Sequence, residues 1–127
     1  MNTLMRYVFP IVIGAMFGNA IQSTNADEPL VFISAFAAGD DGAIHAYQLK
    51  TDTGRLELVH RTTDVENPFF MAVSPDQKFL YSIHAEKFGG EDHEQVAAYE
   101  IEGRTGRLKL LNRQSALGSA SCYLDVD

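Results

Sequence analysis

Two stretches of the chain carry the same pattern of apolar and polar positions. Ala46-Tyr47-Gln48-Leu49-Lys50-Thr51-Asp52-Thr53-Gly54-Arg55-Leu56-Glu57-Leu58-Val59 and Ala98-Tyr99-Glu100-Ile101-Glu102-Gly103-Arg104-Thr105-Gly106-Arg107-Leu108-Lys109-Leu110-Leu111 align without a gap at an offset of 52 residues. Each reads as a β-hairpin. Ala-Tyr-x-(Leu/Ile) alternates like a strand with one packed face, and Thr-Gly supplies the turn, because glycine takes the positive φ that a tight hairpin needs. The second strand alternates more strictly, Arg55 and Glu57 against Leu56 and Leu58, Arg107 and Lys109 against Leu108 and Leu110. One face of that strand must meet water, as the outer strand of a sheet does.

The repeat extends on both sides. Residues 68–74 match 121–127 at an offset of 53, and 30–34 resemble 79–83. These segments are apolar without clean alternation, which predicts packing on both faces. The predicted strands are 30–34, 43–49, 55–61, 69–74, 79–84, 95–101, 107–113 and 121–127. Four short strands per roughly 50 residues, inner ones buried and the last half exposed, describe an all-β fold made of four-stranded antiparallel β-propeller blades. A β-sandwich has a similar strand density, but the repeat and the graded burial favour the blade. The first three strands give three-quarters of a blade, the next four a whole one, and 121–127 opens a third. About two blades cannot close a ring, so residues 27–127 are expected to be the N-terminal portion of a larger propeller, inactive alone.

At this point the residues resemble a known family. Gly42-Ala43-Ile44-His45-Ala46-Tyr47, Thr53-Gly54-Arg55-Leu56, Asn67-Pro68-Phe69-Phe70-Met71-Ala72-Val73-Ser74-Pro75-Asp76, Lys78-Phe79-Leu80-Tyr81 and Thr105-Gly106-Arg107-Leu108-Lys109-Leu110-Leu111-Asn112 are similar, in this order and spacing, to the N-terminal part of the 6-phosphogluconolactonase-like lactonases. Ser121-Cys122-Tyr123-Leu124-Asp125-Val126-Asp127 resembles that family's strand into the next blade, with Ser121 and Tyr123 where the family usually has Pro and often His. The resemblance implies a seven-bladed propeller that hydrolyses a sugar-derived lactone without metal or organic cofactor. It places the family's catalytic His, Glu and Arg in later blades, downstream of Asp127, so none falls on a residue of this chain. Two alternatives stay open: an exported non-catalytic propeller used as a binding scaffold, and a carboxymuconate-lactonizing (cycloisomerase-type) enzyme of the same family.

The first 26 residues change the setting. Met1 to Ala26 has one positive charge, Arg6, an apolar stretch from Tyr7 to Phe17 and a polar tail ending in Thr24-Asn25-Ala26. This is the layout of a secretory signal peptide. The apolar run is shorter than the ~20 residues of a spanning helix, so a membrane association is expected only through an uncleaved leader. Export, to a periplasm or out of the cell, follows. A cytoplasmic enzyme of sugar phosphate metabolism would need no leader, so an exported relative is expected to act on another lactone, or on none.

Charge excludes some partners. Seventeen Asp and Glu face ten Lys and Arg, a net charge of −7, which argues against nucleic acid and anionic lipid and leaves a small-molecule lactone as the expected partner. The oligomeric state is not legible. The single cysteine, Cys122, precludes an intrachain disulfide and reads as a buried inert thiol in an apolar strand.

Lactone hydrolysis asks for a base to activate water and for donors where the ring carbonyl gains charge. In a propeller only the connections on the channel face can supply them, here 35–42, 62–68, 85–94 and 115–120. The richest begins at His84 and includes Glu86, the two candidate pocket-face residues. Glu91-Asp92-His93-Glu94 holds metal-ligating residue types but no standard ligand spacing, so no metal or cofactor is expected and the stretch reads as a solvated loop tip beside Gly89-Gly90. Ser74-Pro75-Asp76 reads as a turn on the opposite face. His45 and His60 read as strand residues that pack or meet solvent, Tyr47 and Tyr99 as sheet core. Arg55 and Arg107, repeated at one place in both blades, read as structural.

Overall fold

The computed structural model describes residues 28–88 and 93–127. The leader and Gly89 to Asp92 lie outside the described residues. Two antiparallel sheets account for the repeat. The first holds β1 (Leu30–Ala35), β2 (Ala43–Lys50) and β3 (Arg55–Thr62) in that order. The second holds β4 (Met71–Val73), β5 (Phe79–His84), β6 (Gln95–Ile101) and β7 (Leu108–Ser115), also in sequence order. Neighbours in sequence are neighbours in the sheet, the meander of a propeller blade.

The two sheets share a defect at the same place. The β2–β3 register slips between Ala46 and Tyr47, and the β6–β7 register slips between Ala98 and Tyr99. A bulge inserts one residue and sharpens the local twist, so both outer strands coil alike. The hairpin glycines take the positive φ expected of them, 71° at Gly54 and 73° at Gly106. Gly106 has a second constraint: a Cβ there would stand 2.6 Å from the Cβ of Ala46 in the other sheet.

The core lies between the sheets. Ile44 and Val65 from the first blade meet Leu80, Ala97 and Tyr99 from the second, with Phe32, Met71, Ile101 and Leu108 packed around them. Burial is graded as the sequence predicts: β5 is mostly buried, whereas β7 is exposed after its first residue. Tyr99 is buried on the face that meets the first blade, while its counterpart Tyr47 is half-buried. Each blade depends on the next for cover, as repeat architectures do.

The Ser74–Phe79 turn forms by local hydrogen bonding. The Ser74 hydroxyl donates to Asp76 Oδ1 at 2.6 Å, and the same oxygen accepts the Lys78 N–H at 3.1 Å. These bonds hold the Asp76 carboxyl below its usual range, the Ser74 bond most strongly. It is a turn, as expected of Ser-Pro-Asp.

Two sequence expectations change. Residues 121–127 form no strand, and Cys122 is exposed, its Sγ 3.1 Å from the Ala120 carbonyl. The reasons are linked. A strand exists through the ladder it shares with a neighbour, and among the described residues no strand lies beside this one to pair with it or cover its thiol. Where the segment finds a partner it is aromatic: the Tyr123 and Phe70 rings lie 4.8 Å apart.

Candidate functional site at one end of the two blades

Four connections meet at one end of the sheets. Ala35 pairs with Ala43 and Ile44 with Thr62, which puts 36–42 and 63–70 together. His84 pairs with Gln95 and Gln95 with Ser115, which puts 85–94 beside 116–120. Hydrogen bonds join the two groups. Asn67, at a φ of 42°, donates its backbone N–H to Ala37 O at 2.8 Å. Its Nδ2 donates to Ala85 O at 3.1 Å and Glu86 O at 2.9 Å. Asparagine suits this position because its short amide tolerates left-handed backbone and can bond to main chain.

An aromatic triangle stands on this end. Phe36 from the β1–β2 connection, Phe69 just before β4 and Phe88 from the β5–β6 connection have ring centroids 5.5 to 6.0 Å apart in tilted and edge-on arrangements. Such geometry suits aromatic quadrupoles. Phe36 is 59% exposed and Phe69 47% exposed. Phe69 belongs to an apolar segment whose pattern predicts packing on both faces; it stands instead at this end, 47% exposed, with its carbonyl held by the Ser34 hydroxyl at 3.1 Å.

His84 and Glu86 part company here. Glu86 is exposed beside Phe88 in sequence. His84 is buried on the last residue of β5, its Nε2 enclosed without a hydrogen-bond partner among the described residues. Burial lowers its pKa, the positive charge of Arg113 lowers it further, and Asp64 partly opposes both. Thr62 Oγ1 is likewise enclosed without a partner among the described residues, and Tyr99 OH is enclosed beside Arg113. Burial raises the Tyr99 pKa, and Arg113 counteracts it. Between them, Arg113 reaches across from β7 to Asp64, donating to its carbonyl at 2.5 Å and lying 3.5 Å from Oδ2. This polar group sits in the seam between blades.

Glu94 overturns the solvated loop tip. It is fully buried. Its Oε1 accepts the Ala120 N–H at 2.8 Å, and Oε2 accepts the N–H and the hydroxyl of Ser121, both at 3.2 Å. A buried carboxylate needs such donors to offset desolvation. His93 is exposed, 3.4 Å from the Ser115 hydroxyl, and Glu91 and Asp92 lie outside the described residues. Among the described residues no group of three or more His, Cys, Asp or Glu is placed to hold a metal ion.

The end is acidic. Among the described residues the connections 36–42, 63–70, 85–94 and 116–120 hold six carboxylates, Asp40, Asp41, Asp64, Glu66, Glu86 and Glu94, and one cation, Lys87. Two arginines that border this end are engaged: Arg61 donates to Asp40 O at 2.7 Å, and Arg113 holds Asp64.

What the described residues provide is a mouth: an apolar platform, exposed carboxylates and rigid backbone ties. Residues 30–127 match the model of a family described as lactonase, 7-bladed β-propeller. The chain is 29% identical over 98 residues to a 6-phosphogluconolactonase of Formosa agariphila, covering 76% of this chain and 27% of that one. It is 30% identical over 96 residues to a 6-phosphogluconolactonase of Bacillus subtilis, covering 76% and 26%. The crystal structure of a candidate 6-phosphogluconolactonase from Bacteroides fragilis superposes with a TM-score of 0.69 at 30% identity, over 81% of this chain and 28% of that one. The chain spans about a quarter of the length of these relatives.

Proposed function

The chain belongs to the seven-bladed β-propeller lactonases, and from that premise we propose that the protein it forms part of hydrolyses a sugar-derived lactone. The observation that carries this reading is the match over residues 30–127, which takes in every strand described above. In the reaction, water adds to the lactone carbonyl carbon, the ring C–O bond breaks, and the ring oxygen takes up a proton to leave a hydroxy acid. A base must take the proton of the attacking water, and donors must meet the carbonyl oxygen as it gains charge. The part of this chain is to build the mouth. Asn67 fixes the 63–70 connection against Ala85 and Glu86, and the phenylalanine triangle offers an apolar face to a sugar ring. Glu86 is the exposed carboxylate nearest that triangle in sequence. The chemistry calls for no metal or organic cofactor.

The location proposed is outside the cytoplasm. Residues 1–26 have the layout of a cleavable secretory leader. N-terminal sequencing of the protein from its native host, with cell fractionation, tests this: a mature start at Asp27 in the periplasm or medium is expected, and a retained Met1 in the cytosol overturns it.

A pH-stat or colorimetric assay on the full-length protein tests the activity, with 6-phosphogluconolactone and simple aldonolactones as substrates. Hydrolysis above the spontaneous rate on at least one is expected. None on any would leave the non-catalytic scaffold as the better reading.

A further inference from the structure

The two sheets are not equally complete. β1 matches β5 residue for residue from Leu30 and Phe79 onward, which puts Val31, Ile33 and Ser34 at the places of Leu80, Ser82 and Ile83. Along one edge of β5 lies β4, with Met71 opposite Ser82, Ala72 opposite Tyr81 and Val73 opposite Leu80. β1 has β2 on one side and, among the described residues, no strand on the other. Leu80, Ser82 and Ile83 are at 1% exposure or less, whereas Val31 and Ser34 are half-buried and Ile33 is 42% exposed.

The open edge is regular backbone. Alternate residues of an antiparallel strand turn their N–H and C=O groups to opposite sides. Ile83 turns toward the inner strand, its N–H donating to Phe70 O at 2.9 Å and its carbonyl accepting the Phe69 N–H at 2.8 Å. Its equivalent is Ser34. The Pro29 carbonyl accepts the Leu49 N–H at 2.9 Å on the β2 side, so Leu30, Phe32 and Ser34 face the open side. Natural edges are blunted by charge, proline or a bulge. β1 has none of these: it reads Leu30-Val31-Phe32-Ile33-Ser34-Ala35, in unbroken register with β2. This edge is built to be paired.

Chain order says with what. β4 follows β3 in sequence but joins the sheet of β5, and residues 121–127, which match 68–74, follow β7. Each inner strand thus comes after the outer strand of the blade before. The chain enters its first sheet at the second position, so a ring closed in this order returns to that sheet after its last outer strand. The stretch before β1 does not supply the inner strand. Asn19-Ala20-Ile21-Gln22-Ser23-Thr24-Asn25 stands where Pro68-Phe69-Phe70-Met71-Ala72-Val73-Ser74 stands before β5, and it lacks the apolar run.

We propose that the open edge of β1 is the docking site for the last β-strand of the full-length protein, which completes the first sheet as its inner strand and closes the ring of seven blades. That strand runs antiparallel to β1 over Val31 to Ile33, in the register of β4 on β5. Main-chain bonds to Phe32 and Ser34 fix it, the physics of strand addition, and its apolar side chains cover Ile33. The inference uses the seven-bladed fold alone and stands whatever the protein hydrolyses.

Two measurements on the full-length protein test it. The first is amide hydrogen exchange on the unaltered chain. Phe32 and Ser34 are expected to exchange as slowly as Val31 and Ile33, whose amides face β2. Fast exchange at Phe32 and Ser34 alone would mean an open edge and overturns the inference. The second identifies the occupant. Ser82, the equivalent of Ile33, opposes Met71 in a non-hydrogen-bonded pair, and such a pair holds its Cα atoms about 4.5 Å apart, within reach of a disulfide. Ile33→Cys, with Cys122→Ser and any cysteine beyond Asp127 also replaced, is combined with one cysteine at each residue of the last strand in turn. Mild oxidation, digestion and mass spectrometry are expected to find an intramolecular disulfide and the loss of both thiols at one position, and free thiols at the residues on either side of it. No disulfide at any position overturns the inference. So does capture of a cysteine placed within residues 19–27, which would assign the edge to the preceding chain. A disulfide between two molecules would assign it to a second copy and overturns the inference likewise.

Discussion

The carboxylate of Glu94 clasps Ser121, accepting its N–H and its hydroxyl on one oxygen at 3.2 Å each while the other oxygen takes the Ala120 N–H at 2.8 Å. The position equivalent to Glu94 in the first blade is Gly42, where the opposite solution is used. A Cβ at Gly42 would stand 2.5 Å from the carbonyls of Ala37 and Val65, so there the chain packs directly against bare backbone. One blade closes its mouth by leaving out a side chain; the other closes it with a buried anion.

Glu94→Ala in the full-length protein is therefore expected to cost about 2–4 kcal/mol, because bonds to a charged acceptor are worth more than neutral ones and the freed N–H groups stay partly enclosed. Glu94→Gln, which keeps one accepting oxygen, is expected to lose about half as much. Urea unfolding midpoints check both. A Glu94→Ala midpoint within error of the parent would mean that the clasp contributes nothing.

The hairpin glycines separate two costs. Gly54 and Gly106 share a positive φ, but a Cβ at Gly54 meets open space, whereas one at Gly106 strikes Ala46 at 2.6 Å and Val59 at 3.0 Å. Gly54→Ala is expected to cost about 1–2 kcal/mol, the left-handed backbone penalty alone. Gly106→Ala adds overpacking between blades, about 1–3 kcal/mol more. Equal losses in thermal or urea unfolding would show that the seam yields freely.

How much of this could be read in advance follows from range. The hairpins were legible because alternation and Thr-Gly are local signals, and the bulges at Ala46 and Ala98 fall in register because the repeat does. Glu94 was not legible. Beside Gly89-Gly90 and three other polar residues it reads as solvated, and its partners lie 26 and 27 residues further on. Phe36, Phe69 and Phe88 come from three separate connections, and no periodicity tells a ring that packs between sheets from one that stands at their end. Cys122 failed for a related reason: an apolar stretch implies burial only where another element covers it.

His84 sets an acid-side limit on stability. The unfolded side chain binds its proton near pH 6.5, whereas the folded one, enclosed and facing Arg113, does so only at lower pH, Asp64 relieving part of the difference. Between those two values the unfolded state holds more protons, so stability falls as pH drops through about 6.5 and levels off below the folded pKa. Tyr99 and Thr62 share the seam, and Tyr99 stays neutral in this range. The melting temperature of the full-length protein is expected to fall from pH 7.5 to 5, with a shallower slope in His84→Gln. Identical slopes would assign the acid loss to other groups.

The last expectation concerns residues 27–127 expressed alone. The seam between the blades is well packed, with Ile44, Val65, Leu80 and Ala97 at 1% exposure or less. The outward surfaces are not. Ile33 is 42% exposed, Leu58 57% and Leu111 45%, and the face of β2 that carries Tyr47 is only half-covered. In a family of seven blades such faces meet a neighbour. Completing the burial of three such side chains is worth roughly 1.5–3 kcal/mol each, and a small domain's whole stability is about 5–15 kcal/mol. Without neighbours the open edges of β1 and β4 also offer unpaired N–H and C=O groups to other chains. The segment is therefore expected to aggregate or to persist as a loose β-rich monomer, and to leave lactones unhydrolysed, since two blades cannot set a base and an oxyanion donor on opposite sides of a substrate. Size-exclusion chromatography, thermal unfolding and the lactone assay check this together. A soluble monomer with a sharp cooperative melt and turnover above background would show that two blades suffice.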